Sequence, residues 1–158
     1  MPVLARAMFG LVNWAARKGL AESAAVAART TEGGRRARRT GVRGETYAYW
    51  YLRRHGYVMV ARNFTVRGIK GEIDLVGYDG ETLAFVEVKT RTSPRDDVGT
   101  PEDAVTSGKQ RHLSHMARQF LREARATKVP FRFDIMAIEA LPGRRPVVRL
   151  HKGAFAAQ

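Results

Sequence analysis

The chain has 158 residues, 44% of them apolar, no cysteine, and 28 Lys and Arg against 15 Asp and Glu, a formal net charge of +13 at pH 7. The length suits a single domain with a core of its own, the apolar content excludes a disordered polyelectrolyte, and the lack of thiols excludes disulfides and thiolate metal sites. A charge this far above the roughly 2–8 units that keep a small domain soluble points to a polyanionic partner, nucleic acid ahead of an anionic membrane surface.

The opening "MPVLARAMFGLVNWAARKGLAESAAVAART" is Ala-rich and suits a helix formed on a partner. Arg6 interrupts its apolar run, so it is neither a membrane span nor a good signal peptide; Arg-rich and acid-poor, it is closer to a transit peptide. The following "TTEGGRRARRTGVRG" has glycines around an arginine cluster and no apolar periodicity, which predicts a flexible basic linker. Residues 1–43 hold nine Lys or Arg and two acids, a surplus of +7. Residues 1–40 are therefore expected to be a basic, flexible extension whose Arg35, Arg36, Arg38 and Arg39 neutralise phosphates. Chemistry belongs to residues 41–158.

"GETYAYWYLRRHGY" predicts a helix, with Glu45, Ala48, Tyr49 and Leu52 at i, i+3, i+4 and i+7 and Gly56 as its stop. "YVMVARNFTVRG" predicts a strand that is irregular around Arg62 and Asn63. In "GEIDLVGYDGETLAFVEVKTR" two strands flank Asp79-Gly80, a strong signal for a type I′ hairpin turn. That turn pairs Tyr78 with Glu81, Asp74 with Phe85 and Glu72 with Glu87. By alternation, Glu72, Asp74, Glu87 and Lys89 then share one face. "TSGKQRHLSHMARQFLREARA" predicts a second helix with Gln110, Leu113, Ala117, Leu121 and Ala124 in a stripe. "PFRFDIMAIEA" and "RPVVRLHKG" predict the closing strands. The order α-β-β-β-α-β-β implies an α/β fold, a central sheet flanked by helices.

The shared acid face is costly. Two carboxylates about 5 Å apart repel by roughly 3 kcal/mol at an effective dielectric near 20. Such acids must be protonated, offset by Lys89, or occupied by a cation, and a hard divalent ion suits an oxygen-only site. The alternative is an edge hairpin whose acids meet solvent, which fits Glu72. It fits the others poorly, because "IDLV" and "LAFVEV" are apolar on both faces, as in a covered strand. Glu45 lies on the apolar stripe of its helix, although an acid is also favourable in any first turn. Gln110 either faces the same site or closes a capping box from Ser107. His112 and His115 lack a third ligand, His55 reads as a helix-end residue, and His151 as a strand residue.

"EID" at 72–74 followed by "FVEVKTR", after a helix carrying "GE", resembles the PD-(D/E)XK nuclease superfamily. With "ARNF", "EDAVTSGKQRHL", "FRFDIMAI" and "HKGAF", residues 41–155 resemble its small bacterial YraN family. Ile73 stands where the superfamily's name has Pro. The resemblance implies a restriction-endonuclease-like core with a mixed sheet, akin to Holliday-junction resolvases. It also implies phosphodiester hydrolysis dependent on Mg²⁺ or Mn²⁺. Asp74, Glu87 and the Val88 carbonyl would hold the metal, and Lys89 would be the signature lysine. Glu45 would be the helix acid, and Gln110 the polar residue of the second helix. Arg111 and Arg118 would join the basic extension on phosphates. The expected partner is nucleic acid in the cytoplasm, DNA before RNA, with no membrane and with monomer or homodimer left open. The rival expectation is a non-catalytic nucleic-acid-binding protein that keeps the fold.

Overall fold

A computed structural model describes residues 32–93 and 105–158, with residues 32–39 described by their backbone alone. Helix α1 spans Glu32–Arg54, β1 Val58–Val66, β2 Ile69–Asp79 and β3 Thr82–Arg91. Helix α2 follows at Ser107–Glu123, then β4 at Phe131–Glu139 and β5 at Val147–Phe155. This is the expected order, and the five strands form one mixed sheet, β1-β2-β3-β4-β5. Only β3 and β4 pair in parallel among the described strands. Parallel neighbours cannot be joined by a tight turn, so the chain crosses over between them and α2 lies on that path.

Each helix buries one face of the sheet. Under α2, Leu113, Met116 and Phe120 pack on Phe64, Phe85 and Phe133. Phe120 meets Phe64 and Phe85 edge to face at 4.9 and 5.5 Å between ring centres, a geometry that aligns ring edges with ring faces. Under α1, Ala48 and Leu52 pack on Leu75, Val86, Met136 and Ile138. Strand β3 is covered on both sides, as its unbroken "LAFVEV" run requires.

Two expectations are corrected. The basic run from residue 32 to 43 is not a linker but the first half of α1. Arg and Ala are good helix formers, and Gly33 and Gly34 fall in the first turn, where glycine is tolerated. The boundary drawn at residue 40 thus falls inside a helix, residues 1–31 lie outside the described part, and so do the side chains of Arg35, Arg36, Arg38 and Arg39. The hairpin turn is Gly80-Glu81 rather than Asp79-Gly80, because Asp79 pairs with Thr82 and Tyr78 with Leu83. Of these two residues only Gly80 has a positive φ, +61°, the pattern of a II′ turn rather than I′. The register is displaced by two residues, an even number, so faces are kept along the ladder from Leu75 to Asp79. Before it alternation breaks, with Ile73 packed under α2 and Leu75 under α1.

The turn moved because Asp79 is anchored from outside the hairpin. Its carboxylate accepts from Arg132 at 2.6 Å and Lys152 at 2.7 Å. Arg132 also donates to fully buried Asp134 at 2.8 Å and to the Tyr57 hydroxyl at 3.1 Å. The backbone N–H of Gly153 reaches Asp134 at 2.9 Å. Removing one partner of a buried pair strands the other charge, at about 3–5 kcal/mol. Arg132→Met is therefore expected to lower unfolding free energy in urea by about that much. Lys152→Met, acting on an exposed pair, is expected to cost less than about 1 kcal/mol. Equal effects would show that Asp134 does not depend on Arg132.

Candidate active site

The β2–β3 ladder closes its last pair at Leu75 and Val86. Beyond it, Glu87 to Arg91 continue in register with β4 alone, leaving a fork between β2 and β3. Val88 would lose a backbone acceptor there, and a buried N–H must find another. Asp74 Oδ2 supplies it, accepting from the Val88 N–H at 2.7 Å. Val88, expected as a carbonyl ligand, enters the site through this N–H.

Glu87 faces α2 and is only 5% exposed. Its Oε1 accepts from Lys89 Nζ at 2.8 Å and from Lys109 Nζ in a very short contact. Its Oε2 is buried and has no hydrogen-bond partner. Burial lowers the Lys89 ammonium, but its hydrogen bond to Glu87 and the nearby acids outweigh that and leave its pKa raised. Both lysines have side chains 37% exposed, so each grips Glu87 while remaining open to a ligand. Lys109 escaped the sequence reading, because a lysine beside a helix start reads as solvated surface. Only the crossover that lays α2 across the sheet brings it to Glu87.

Glu45 arrives from α1. A Cβ at Gly44 would collide with the Thr90 hydroxyl, so glycine is what lets α1 approach β3 this closely. Asn63 then donates to Glu45 Oε2 at 2.8 Å. It does so from a left-handed backbone, φ +48°, at the irregularity expected in β1. Arg62 steadies the neighbouring turn through Thr46 at 3.1 Å. Asn63 is the second residue that the sequence reading missed, and its signal was that irregular strand.

Carboxylate oxygens of Glu45, Glu72 and Asp74 lie within 4.8 Å of one another. A hard cation with oxygen ligands at about 2.0–2.6 Å bridges oxygens up to twice that distance apart, so the donor set fits one. The converging acids thus differ from the expected Asp74 and Glu87 pair. Glu72 is exposed to solvent, as expected, yet lies close enough to add an oxygen to Glu45 and Asp74, and Glu87 is engaged by the lysines.

Gln110 is drawn elsewhere. The helix cap is Thr106, not Ser107, and its hydroxyl accepts from the Lys109 N–H at 3.4 Å. Gln110 Nε2 donates to the Val105 carbonyl at 3.0 Å, and its Oε1 accepts from Gln158 at 2.8 Å. Arg111 and Arg118 are exposed on α2, two and nine positions after Lys109. At 100° per residue that puts them on the helix side opposite Lys109, away from the acids.

The chain matches the family model described as Uncharacterised protein family UPF0102 over residues 44–138. A UPF0102 protein of Koribacter versatilis is 44% identical over 117 residues, 74% of this chain and 79% of that protein. One from Symbiobacterium thermophilum is 45% identical over 119 residues, 75% of this chain and 98% of its own length. A third, from Geobacter metallireducens, is 45% identical over 115 residues, covering 73% and 90%.

The crowded acids set a pH dependence. Burial above all, then Glu87 and Glu45, push the Asp74 carboxyl from its usual 3.8 up to about 8, against the Val88 N–H and Lys109. Across that window the folded protein holds a proton that the unfolded chain has released, so this part of its stability is lost as pH rises. In EDTA, melting temperature is expected to fall between about pH 4 and 8, and Asp74→Asn to flatten that fall. An unchanged slope in the variant would assign the titration to another group.

Proposed function

Taking as premise that the chain belongs to the family UPF0102, we propose that it is a nuclease that hydrolyses phosphodiester bonds in DNA with the help of Mg²⁺ or Mn²⁺. The observation that carries this reading is the meeting of Glu45, Glu72 and Asp74 beside a buried Glu87 gripped by two partly exposed lysines. A phosphodiester is an anion, and an acid cluster alone repels it. A divalent ion among the carboxylates reverses that sign, and when bound it polarises the phosphate and acidifies water.

The chain's own residues supply the rest. Glu45, held by Asn63, and Asp74, held by the Val88 N–H, are fixed before any ligand arrives, as preorganised electrostatics demands. Lys89, with its pKa raised, stays charged at neutral pH. It therefore acts as a cation that neutralises charge developing on the phosphate and orients water, not as a base. Arg111 and Arg118, exposed on α2, suit contacts with phosphates farther along the strand. The likeness of "EID" and "EVK" to the PD-(D/E)XK signature supports the same chemistry, and DNA as substrate puts the working site in the cytoplasm. Among the described residues no helix is long and apolar enough to cross a membrane.

A second reading, a binding protein without catalysis, draws on the two ammoniums that already offset Glu87 without any ion. The two separate on Lys89→Met. Branched, flapped, single-stranded and duplex DNA are incubated with Mg²⁺ or Mn²⁺, and the wild type is expected to cut at least one. Lys89→Met is expected to cut it about 10²–10³-fold more slowly, the usual effect of losing one transition-state contact, while binding within about twofold of wild type. Mn²⁺ should raise the melting temperature of the wild type and not that of Glu45→Gln with Asp74→Asn. Equal cleavage by Lys89→Met, or no cleavage by the wild type, defeats the nuclease reading.

A further inference from the structure

Helix α1 carries a second surface, facing away from Glu45. Glu45 is the only acid between residues 40 and 54, and it is turned to Asn63. On the outward side Arg43, Tyr47, Trp50 and Arg54 follow at i, i+4, i+7 and i+11, which aligns them in one stripe. All four are exposed, Tyr47 by 42% and Trp50 by 55%. Arg53 lies over the Trp50 ring at 5.2 Å, and Tyr49 meets its edge at 5.4 Å. These two neighbours steady the indole and leave more than half of the residue open.

We propose that this outward face of α1 is a platform for single-stranded nucleic acid, with Trp50 and Tyr47 stacking unpaired bases and Arg43, Arg53 and Arg54 holding the adjoining phosphates. The proposal deepens the nuclease reading and rests on it for the class of substrate, which it narrows to DNA with an unpaired segment. The occupant is identified by charge and by ring. Interleaved arginines ask for a polyanion, and flat exposed aromatics ask for bases that are free to stack, as those of a closed duplex are not. The stripe runs about 16 Å along the helix, room for a short run of nucleotides. A second copy is disfavoured, since pairing this face with itself would oppose arginine to arginine. A lipid surface is disfavoured as well, because the apolar side of α1, Ala48 and Leu52, is already fully buried against the sheet.

The test uses the full chain in EDTA, so that binding is read without cleavage. Fluorescence anisotropy measures affinity for a labelled oligothymidylate and for a blunt duplex of equal length. Tyr47→Ala with Trp50→Ala is expected to weaken single-strand binding at least about 30-fold, the low end for losing two stacked bases, and duplex binding by less than about twofold. Trp50→Phe, which keeps a ring, should recover most of the loss. Arg43→Ala with Arg54→Ala should flatten the salt dependence of the same binding. Thermal melts matching wild type show that the variants are folded, and the arginine variant decides the matter should the aromatic one unfold. Unchanged single-strand affinity, or an equal loss on duplex, overturns the platform. So does sedimentation showing that Trp50→Ala splits a dimer, or a loss confined to anionic vesicles. Failure of wild-type cleavage with Mn²⁺ would sink the nuclease reading alone, because the platform is judged on binding in EDTA.

Discussion

The fork after Leu75 and Val86 is the constraint from which the site follows. Once β2 leaves β3, the Val88 N–H needs an acceptor that the ladder no longer provides. A carboxylate fills the place, and Asp74 becomes both a structural acceptor and the central acid of the cluster. A neutral acceptor would satisfy the hydrogen bond equally well. The chain instead keeps a group whose ionisation is opposed by burial and by Glu87 and Glu45. An acid kept where the fold opposes its ionisation is what singles this cluster out as a candidate site.

The two helices bring the remaining groups, for different reasons. Helix α2 is where it is because β3 and β4 are parallel and the chain must cross between them. The Phe64, Phe85 and Phe120 cluster fixes its height over the sheet, which delivers Lys109 to Glu87. Helix α1 comes close because Gly44 has no side chain to strike Thr90, which delivers Glu45. The left-handed Asn63 in β1 then holds that carboxylate, an instance of local backbone strain retained beside a site.

Charge is separated by position. The acids converge at the fork, while Arg43, Arg53 and Arg54 of α1 and Arg111, Arg118 and Arg122 of α2 are exposed. At the other end of the β2–β3 hairpin, Asp79, Arg132, Asp134, Lys152 and Tyr57 form a closed network. Its task is architectural, since it anchors the hairpin tip and ties β4 to β5. The two ionic clusters use the same residue types to opposite ends. The tip network satisfies its charges internally, whereas the fork leaves Glu87 Oε2 without a partner.

Much of this was legible in the sequence because it depends on local rules. The order of elements follows from periodicity, and the nearness of Asp74 to Glu87 and Lys89 follows from the pairing of the two hairpin strands. A register shift of two preserves the faces along the ladder from Leu75 to Asp79, whereas Ile73 and Leu75 pack on opposite faces of the sheet. The identity of the turn, the start of α1, the seating of Lys109 and the grip of Asn63 on Glu45 were not legible. Each rests on a partner far along the chain: Arg132 and Lys152 for Asp79, the sheet for the two helices, and β1 for Glu45. Sequence determined which helices and strands carry the ionisable groups, because periodicity and turn signals are set by the local backbone. Only the tertiary structure decided which charges meet, because ion pairs and close approaches depend on distances that packing alone fixes.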